Sequence, residues 1–321
     1  MKKVICYLLA MLLPVLAVTG CGAKTTSEEQ LVSKSGFYFD TSISLQIYSE
    51  QGEALLEKCF SLCAELEKTF SRTLETSELY KVNHRSSDTV EVSDDLAKVI
   101  RVGLDYGDLS DGVLDITIAP VTDLWDFKSQ EHHLPAEADI QAALAKVDYK
   151  KVHLDGTTLT FDSPDTMLDL GAVAKGYCAD RLKEYLTSQG VKSGLINLGG
   201  NVLTLGSKPD GSDWNVGIQK PFADRGVVER TVSVTDKSVV SSGIYERYFE
   251  LDGVLYHHVL DPATGYPVKT DLAETTIVTD ASVYGDAMST ICLLKGKDGA
   301  NAFIEKMKAQ GMDINAFLTE E

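Results

Sequence analysis

The chain has 321 residues, 44% hydrophobic and 24% charged, a globular composition long enough for one large core or two lobes. Its formal net charge is −18. That acidity excludes nucleic-acid binding through a general electrostatic footprint, so an anionic ligand would need local help from a metal, a lysine or a helix N-terminus.

The N-terminus stands apart from the rest. Lys2 and Lys3 precede an apolar run from Val4 to Val18, which ends in Val18-Thr19-Gly20-Cys21. Residues 1–20 therefore read as a secretory signal, with a run too short for a stable membrane span. Small residues directly before Cys21 resemble a bacterial lipobox, which implies cleavage before Cys21 and lipidation of its thiol. Removing residues 1–20 takes away two lysines and no acids, leaving a net charge of −20. Residues 21–35 are rich in Ser, Thr, Lys and Glu and read as a tether.

Residues 36–321 form one domain. Phe37 to Tyr48 alternates and is β-branched, so it predicts a strand. Gly52 to Phe70 predicts an amphipathic helix with Leu55, Cys59, Leu62, Cys63, Leu66 and Phe70 on one face. Ser93 or Asp94 caps a second helix to about Leu109, and Glu137 to Val147 suggests a third. Val152–Leu154 and Thr158–Phe161 predict a hairpin around Asp155-Gly156. Met167 to Leu170 reads as a short strand feeding Gly171 and a helix to about Ser188. Strands then dominate: 194–198, 202–205, 214–218, 228–235, 238–240, 245–251, 254–259 and 273–278. Two helices, 282–294 and 299–309, and a last strand, 314–318, close the chain. Helices in the first half and strands in the second argue α+β, with mixed or antiparallel sheets and flanking helices.

The cysteines after Cys21 are Cys59, Cys63, Cys178 and Cys292. They form no CxxC pair and no metal spacing, and read as small buried hydrophobes.

Four segments can carry chemistry. Asp169-Leu-Gly171-Ala172-Val-Ala-Lys175-Gly176-Tyr177 is a glycine turn into a helix start, where free N–H groups and the helix dipole favour phosphate. Lys175 lies one turn in. Asp286 and Thr290 share a helix face at i,i+4 and offer two hard oxygens of the kind Mg²⁺ prefers. Taken alone, the same pair also fits a helix cap and a core-facing threonine. His257-His258-Val259-Leu-Asp261-Pro262-Ala-Thr264-Gly265-Tyr-Pro267 makes a rigid corner bearing an imidazole and a carboxylate. Asn197-Leu-Gly199-Gly200-Asn201 allows a tight corner or a close backbone approach to a flat ligand. Trp125 and Phe127 read as core cover.

In their order these segments resemble the ApbE family, the FAD:protein FMN transferases. The match runs from about Phe37 to the C-terminus and adds Phe39-Asp40-Thr41, Phe70-Ser71-Arg72, Ser77-Glu78-Leu79, Asp111-Gly112-Val-Leu-Asp115-Ile-Thr117 and Ser242-Gly243 with Tyr245-Glu246-Arg247. The resemblance implies an ApbE-like fold with a FAD cleft between two lobes. It implies a Mg²⁺-dependent enzyme that passes the FMN phosphoryl group of FAD to a Thr or Ser hydroxyl of another protein, releasing AMP. Flavin subunits of membrane redox complexes are the implied acceptors. It places Asp286, Thr290 and the Ala172 carbonyl on Mg²⁺. It places Phe39, Thr73, Val113, Leu114, Asp115, Asp169, Lys175 and Val259 along the FAD. His258 sits at the pyrophosphate or moves a proton, and Asp286 serves catalysis through the metal. With the lipobox, the enzyme would be held on the extracytoplasmic face of the cell membrane.

Two positions depart from the family pattern. Thr73 stands where members often carry a flavin-stacking Tyr, which predicts altered flavin affinity or hydrolysis by water. Ile244 stands where a polar residue is common, which predicts altered adenine-side contacts. FAD hydrolysis to FMN and AMP, and FAD binding without chemistry, are the competing readings.

Overall fold

The computed structural model describes residues 30–127 and 132–320. The signal and lipobox expected at residues 1–21 lie outside the described residues. The first half contains β1 (Leu31–Tyr38), β2 (Thr41–Tyr48), α1 (Gly52–Phe70), α2 (Glu78–Asn83), β3 (Thr89–Glu91), α3 (Asp94–Leu109), α4 (Ala119–Trp125), α5 (Glu137–Leu144), β4 (Val152–Asp155) and β5 (Thr158–Phe161). The second contains α6 (Ala174–Ser188), β6 (Gly194–Leu198), β7 (Asn201–Leu205), β8 (Trp214–Gln219), β9 (Val228–Val234), β10 (Ser238–Gly243), β11 (Tyr248–Leu251), β12 (Val254–His257), β13 (Leu272–Thr279), α7 (Ser282–Ala309) and β14 (Asn315–Glu320).

A seven-stranded sheet in the order β1-β2-β6-β7-β10-β13-β14 is the frame. Every ladder between described strands is antiparallel, including the separate β3-β5-β4, β8-β9 and β11-β12 sheets. The fold is thus α+β as expected, with antiparallel rather than mixed pairing. On β2, Ile43, Leu45 and Ile47 alternate into the core and are fully buried. They meet the apolar stripe of α1, where Leu55, Cys59, Cys63, Leu66 and Phe70 are buried. Each such side chain contributes about 1.5–3 kcal/mol through burial. All eight residues of β13 are buried. The helices cover one of its faces, and the β8–β9 hairpin covers the other through Val216, Val234, Val239 and Val278.

A smaller lobe packs around Trp125, Ile140, Phe249 and Leu260, drawn from α4, α5, β11 and the chain after β12. Among the described residues no helix is long and apolar enough to cross a membrane. Cys59, Cys63, Cys178 and Cys292 are all free and buried.

Several boundaries differ from expectation. Leu31 to Ser35, expected as tether, belongs to β1. The expected single strand from Phe37 to Tyr48 is a hairpin that turns at Phe39 (φ 53°) and Asp40 (φ 56°). Two positive φ angles match a primed turn, which follows the strand twist. Met167 to Leu170 is extended but joins no ladder. Its backbone is satisfied by the Asn83 side-chain amide, bonded to both the N–H and carbonyl of Leu168, and by Asp169 N–H on the Ile116 carbonyl. The two expected C-terminal helices run through one another as α7, which breaks direction at Gly296 (φ 66°, ψ 177°).

Candidate active site

A cleft of about 560 Å³ lies between the sheet-and-helix body and the smaller lobe. All twelve residues expected at the FAD, the metal or the pyrophosphate line it: Phe39, Thr73, Val113, Leu114, Asp115, Asp169, Ala172, Lys175, His258, Val259, Asp286 and Thr290.

One wall is the start of α6 packed on the start of α7. Gly176 permits this contact, because a Cβ there would lie 2.4 Å from the Ser282 carbonyl oxygen and 2.5 Å from Val283 Cα. The Gly176 amide donates to Asp286 Oδ2 at 2.8 Å. Gly176 lies in the first turn of α6, where amides have no partner within the helix, so Asp286 satisfies one of them. The Ala172 carbonyl, just ahead of the N-cap Val173, receives no hydrogen-bond donor among the described residues. Asp286 is 3% exposed, and Lys175 Nζ stands 3.8 Å from its Oδ1. The Thr290 hydroxyl, one turn on, donates weakly to the Asp286 carbonyl at 3.3 Å.

The facing wall is the corner after β12. His258 Nδ1 lies 3.3 Å from the Arg247 carbonyl. A carbonyl only accepts, so this contact places the imidazole proton on Nδ1 and leaves Nε2 as an acceptor. Burial, then the neighbouring Arg247, His257 and Lys175, lower the His258 pKa to about 3, so the ring is neutral at ordinary pH. Asp261 does not reach the cleft. Its carboxylate accepts from Ala263 N–H and the Thr264 hydroxyl, and its carbonyl accepts from Gly265 N–H at 2.7 Å. Gly265 (φ 74°) packs where a Cβ would strike Ile140, and its carbonyl takes the Trp125 indole proton at 2.7 Å. Asp261, Thr264 and Trp125 therefore brace the corner that carries His258. Trp125 is core and Phe127 packs over that core, stacked on Trp125, as expected; Phe127 also lines the cleft.

The end walls hold the remaining residues. Phe39 is set by its turn, and its N–H donates to Glu67 Oε1 at 2.8 Å. Both oxygens of Asp115 are taken by the scaffold, through the Thr117 amide and hydroxyl and the Tyr149 amide. Burial raises the Asp115 pKa, and those bonds oppose the rise. Asp169 caps Gly171 N–H at 2.8 Å and meets Arg72 Nε at 3.0 Å. Arg72 also grips Asp123, which tethers the two lobes across the cleft. Ile244 is 1% exposed in the main core, so it makes no contact in the cleft and the expected change on the adenine side does not arise from its side chain. The Gly199–Gly200 turn reaches the cleft through Gly199 (φ 64°), seated against Thr41.

The model of the ApbE family matches residues 39–314, most of the chain. The chain belongs to the ApbE family. It is 37% identical over 298 residues to the FAD:protein FMN transferase of Klebsiella pneumoniae (strain 342), covering 92% of this chain and 91% of that one. It is 32% identical over 310 residues to the enzyme of the same name from Treponema pallidum (strain Nichols), covering 90% and 85%. Among solved structures, the ApbE protein of Thermotoga maritima superposes with a TM-score of 0.81 at 28% identity, over 90% of this chain and 94% of that one. The flavin transferase ApbE of Vibrio cholerae gives 0.78 at 25% identity, over 90% and 97%.

The wall residues of this ApbE chain fit a hard cation. No group of three or more His, Cys, Asp or Glu among the described residues could hold a metal alone. The set at α6 and α7 is of another kind: one buried carboxylate, one hydroxyl and one undonated carbonyl, all oxygen. Such a short set suits Mg²⁺, which keeps waters and takes its remaining ligands from substrate phosphate. In the sequence Arg72 and Arg247 stand out only as members of motifs. No spacing signal reveals that Arg72 bridges two carboxylates 51 and 97 positions away.

Proposed function

We propose that the chain transfers the FMN moiety of FAD to a Thr or Ser hydroxyl of acceptor proteins, with Mg²⁺, releasing AMP. One observation carries the reading. A neutral imidazole with an open Nε2 lines the same cleft as a buried carboxylate and an undonated carbonyl. The names of the curated relatives supply the substrate.

The Asp286 carboxylate, the Thr290 hydroxyl and the Ala172 carbonyl would hold Mg²⁺, which neutralises a diphosphate and stabilises charge on a leaving phosphate. Lys175, at the α6 N-terminus, adds a positive charge for the phosphates. Phe39, Thr73, Val113, Leu114, Asp115, Asp169 and Val259 would contact FAD. His258 Nε2 takes the hydroxyl proton as the acceptor oxygen bonds to the FMN phosphorus and the bond to the AMP oxygen breaks. The braced corner keeps that nitrogen aimed.

A second reading has its own observation. Thr73 is short and exposed at the cleft, so water has room to replace the acceptor hydroxyl. FAD hydrolysis would then accompany transfer. Cleavage before Cys21 and lipidation would hold the domain on the extracytoplasmic face of the cell membrane, beside flavin subunits of membrane redox complexes.

Incubating the protein with FAD, Mg²⁺ and such a subunit tests this. Transfer yields AMP and a fluorescent acceptor band that survives a denaturing gel. AMP and FMN without a labelled band favour hydrolysis, and FAD recovered unchanged sinks both.

A further inference from the structure

We infer that Asp180 is a positioning residue that sets the register of the cation-binding oxygens from the far end of the α6–α7 contact. The inference deepens the functional reading above and rests on its metal site. It begins with a missing cap. Ala281, at the N-cap of α7, supplies no side-chain hydrogen bond to its own helix. The free amides of the first turn are met from another helix. Asp180 Oδ1 accepts Ser282 N–H at 2.8 Å, and Asp180 Oδ2 accepts Val283 N–H at 2.9 Å. A carboxylate at a helix start satisfies two orphan donors and complements the dipole.

The position of that cap matters. Gly176 and Asp180 lie at i,i+4 on α6, with Ala172 just ahead of its N-cap Val173, and Ser282, Asp286 and Thr290 follow one another at i,i+4 on α7. The two rows run antiparallel. Asp180 holds 282 and 283, and Gly176 touches 282 and 283 while donating to Asp286. Ahead of Gly176 the chain reaches Ala172, which lines the same cleft as Asp286 and Thr290. Asp180 lies one helical step of about 6 Å beyond Gly176 and does not line the cleft. A slip of α7 along α6 would separate the Ala172 carbonyl from the Asp286 carboxylate. Asp180 and the Gly176 contact oppose that slip from two points. Ser282 is held on its other side by Asn201 and Ser238, so the start of α7 is clamped between α6 and the sheet.

Asp180→Ala and Asp180→Asn test the assignment, with Mn²⁺ as the probe ion. Three readouts are needed: amide exchange at Ser282 and Val283, Mn²⁺ affinity by electron paramagnetic resonance in the presence of FAD, and turnover against Mg²⁺ concentration. We expect faster exchange at both amides and at least tenfold weaker Mn²⁺ binding in Asp180→Ala, with a smaller loss in Asp180→Asn, whose one oxygen keeps one bond. Saturating Mg²⁺ should restore kcat to within about threefold, because the chemistry is intact and only assembly of the site is impaired. A residue that merely stabilises the fold would lower the melting temperature without shifting the metal dependence. Unchanged Mn²⁺ affinity in either folded variant overturns the inference, and Asp180→Asn decides the matter if Asp180→Ala does not fold. If the wild-type protein binds no Mn²⁺ with FAD, the metal reading itself is wrong and this inference falls with it.

Discussion

The two walls of the cleft become rigid by opposite routes. The α6–α7 wall is backbone against backbone: Gly176 lies on Ser282 and Val283, and the buried Asp286 and half-buried Asp180 take the amides. The His258 wall is a loop braced by side chains, with Thr264 on Asp261, Trp125 on Gly265 and the Tyr266 hydroxyl on Glu137. The helical wall tolerates no added atom, because nothing in it can turn aside. The loop wall has several independent braces, and losing one leaves the rest. The first design suits the proposed cation site, whose oxygens must keep a fixed spacing. A site that must aim one nitrogen can use the second.

Substitutions should expose this difference. Asp286→Ala should have the largest effect, a loss of about 10³–10⁴ in AMP release with the circular dichroism unchanged, since it removes several kcal/mol of metal-borne stabilisation. Full activity in that variant would refute the metal assignment. His258→Gln should lower kcat by about 10²–10³ while FAD binding, followed by fluorescence quenching, changes little. Gly176→Ala should lower kcat by about 10² and stability by about 1–3 kcal/mol in urea melts, because the new methyl must push α7 away. An active, fully stable Gly176→Ala protein would show that the helices are not locked. Thr264→Val, on the loop wall, should cost only about 1 kcal/mol and change turnover by less than about threefold, since the other braces persist.

The walls also differ in how they respond to acid. On the loop wall, burial lowers His257 to about 4 and His258 to about 3. The unfolded chain takes up those protons near pH 6.5, so this contribution is complete above 6.5 and is lost as pH falls toward 4. On the helical wall, burial raises Asp180 to about 6 against the opposing pull of its two amide bonds. The native state then holds the extra proton, so the Asp180 contribution falls as pH rises from about 4 to 6. Asp180→Asn should therefore steepen the rise of stability between pH 4 and 6, and His257→Gln should flatten it. Urea melts at pH 4, 5, 6 and 7 would check both, and parallel curves for all three proteins would contradict the assignment.

What the residues revealed before folding followed from periodicity. The stripe of α1 and the Ser93 cap of α3 both point to their partners through local spacing. The six-residue α2 and seven-residue α4 are too short for their sequences to show a helical period. Phe39-Asp40 carries no glycine or asparagine to announce a turn, so a hairpin looked like one strand. The cleft itself was legible through the order of its motifs. What each side chain does there was less so. Asp115 and Asp261 are carboxylates beside the site whose oxygens are taken by the backbone and hydroxyl groups around them, and Ile244 points into the core. Spacing alone cannot tell a carboxylate that faces a ligand from one that holds its own loop.

The Phe39–Asp40 turn sets selection for stability against selection for turnover. Two residues with side chains occupy a left-handed conformation that glycine adopts freely, at a strain of roughly 1–2 kcal/mol each. A screen for heat resistance should therefore enrich Asp40→Gly, while Phe39→Gly would also lose the ring's packing on the main core and should be discarded by a screen for flavin transfer. The aromatic ring at the cleft edge is maintained against the backbone's own preference.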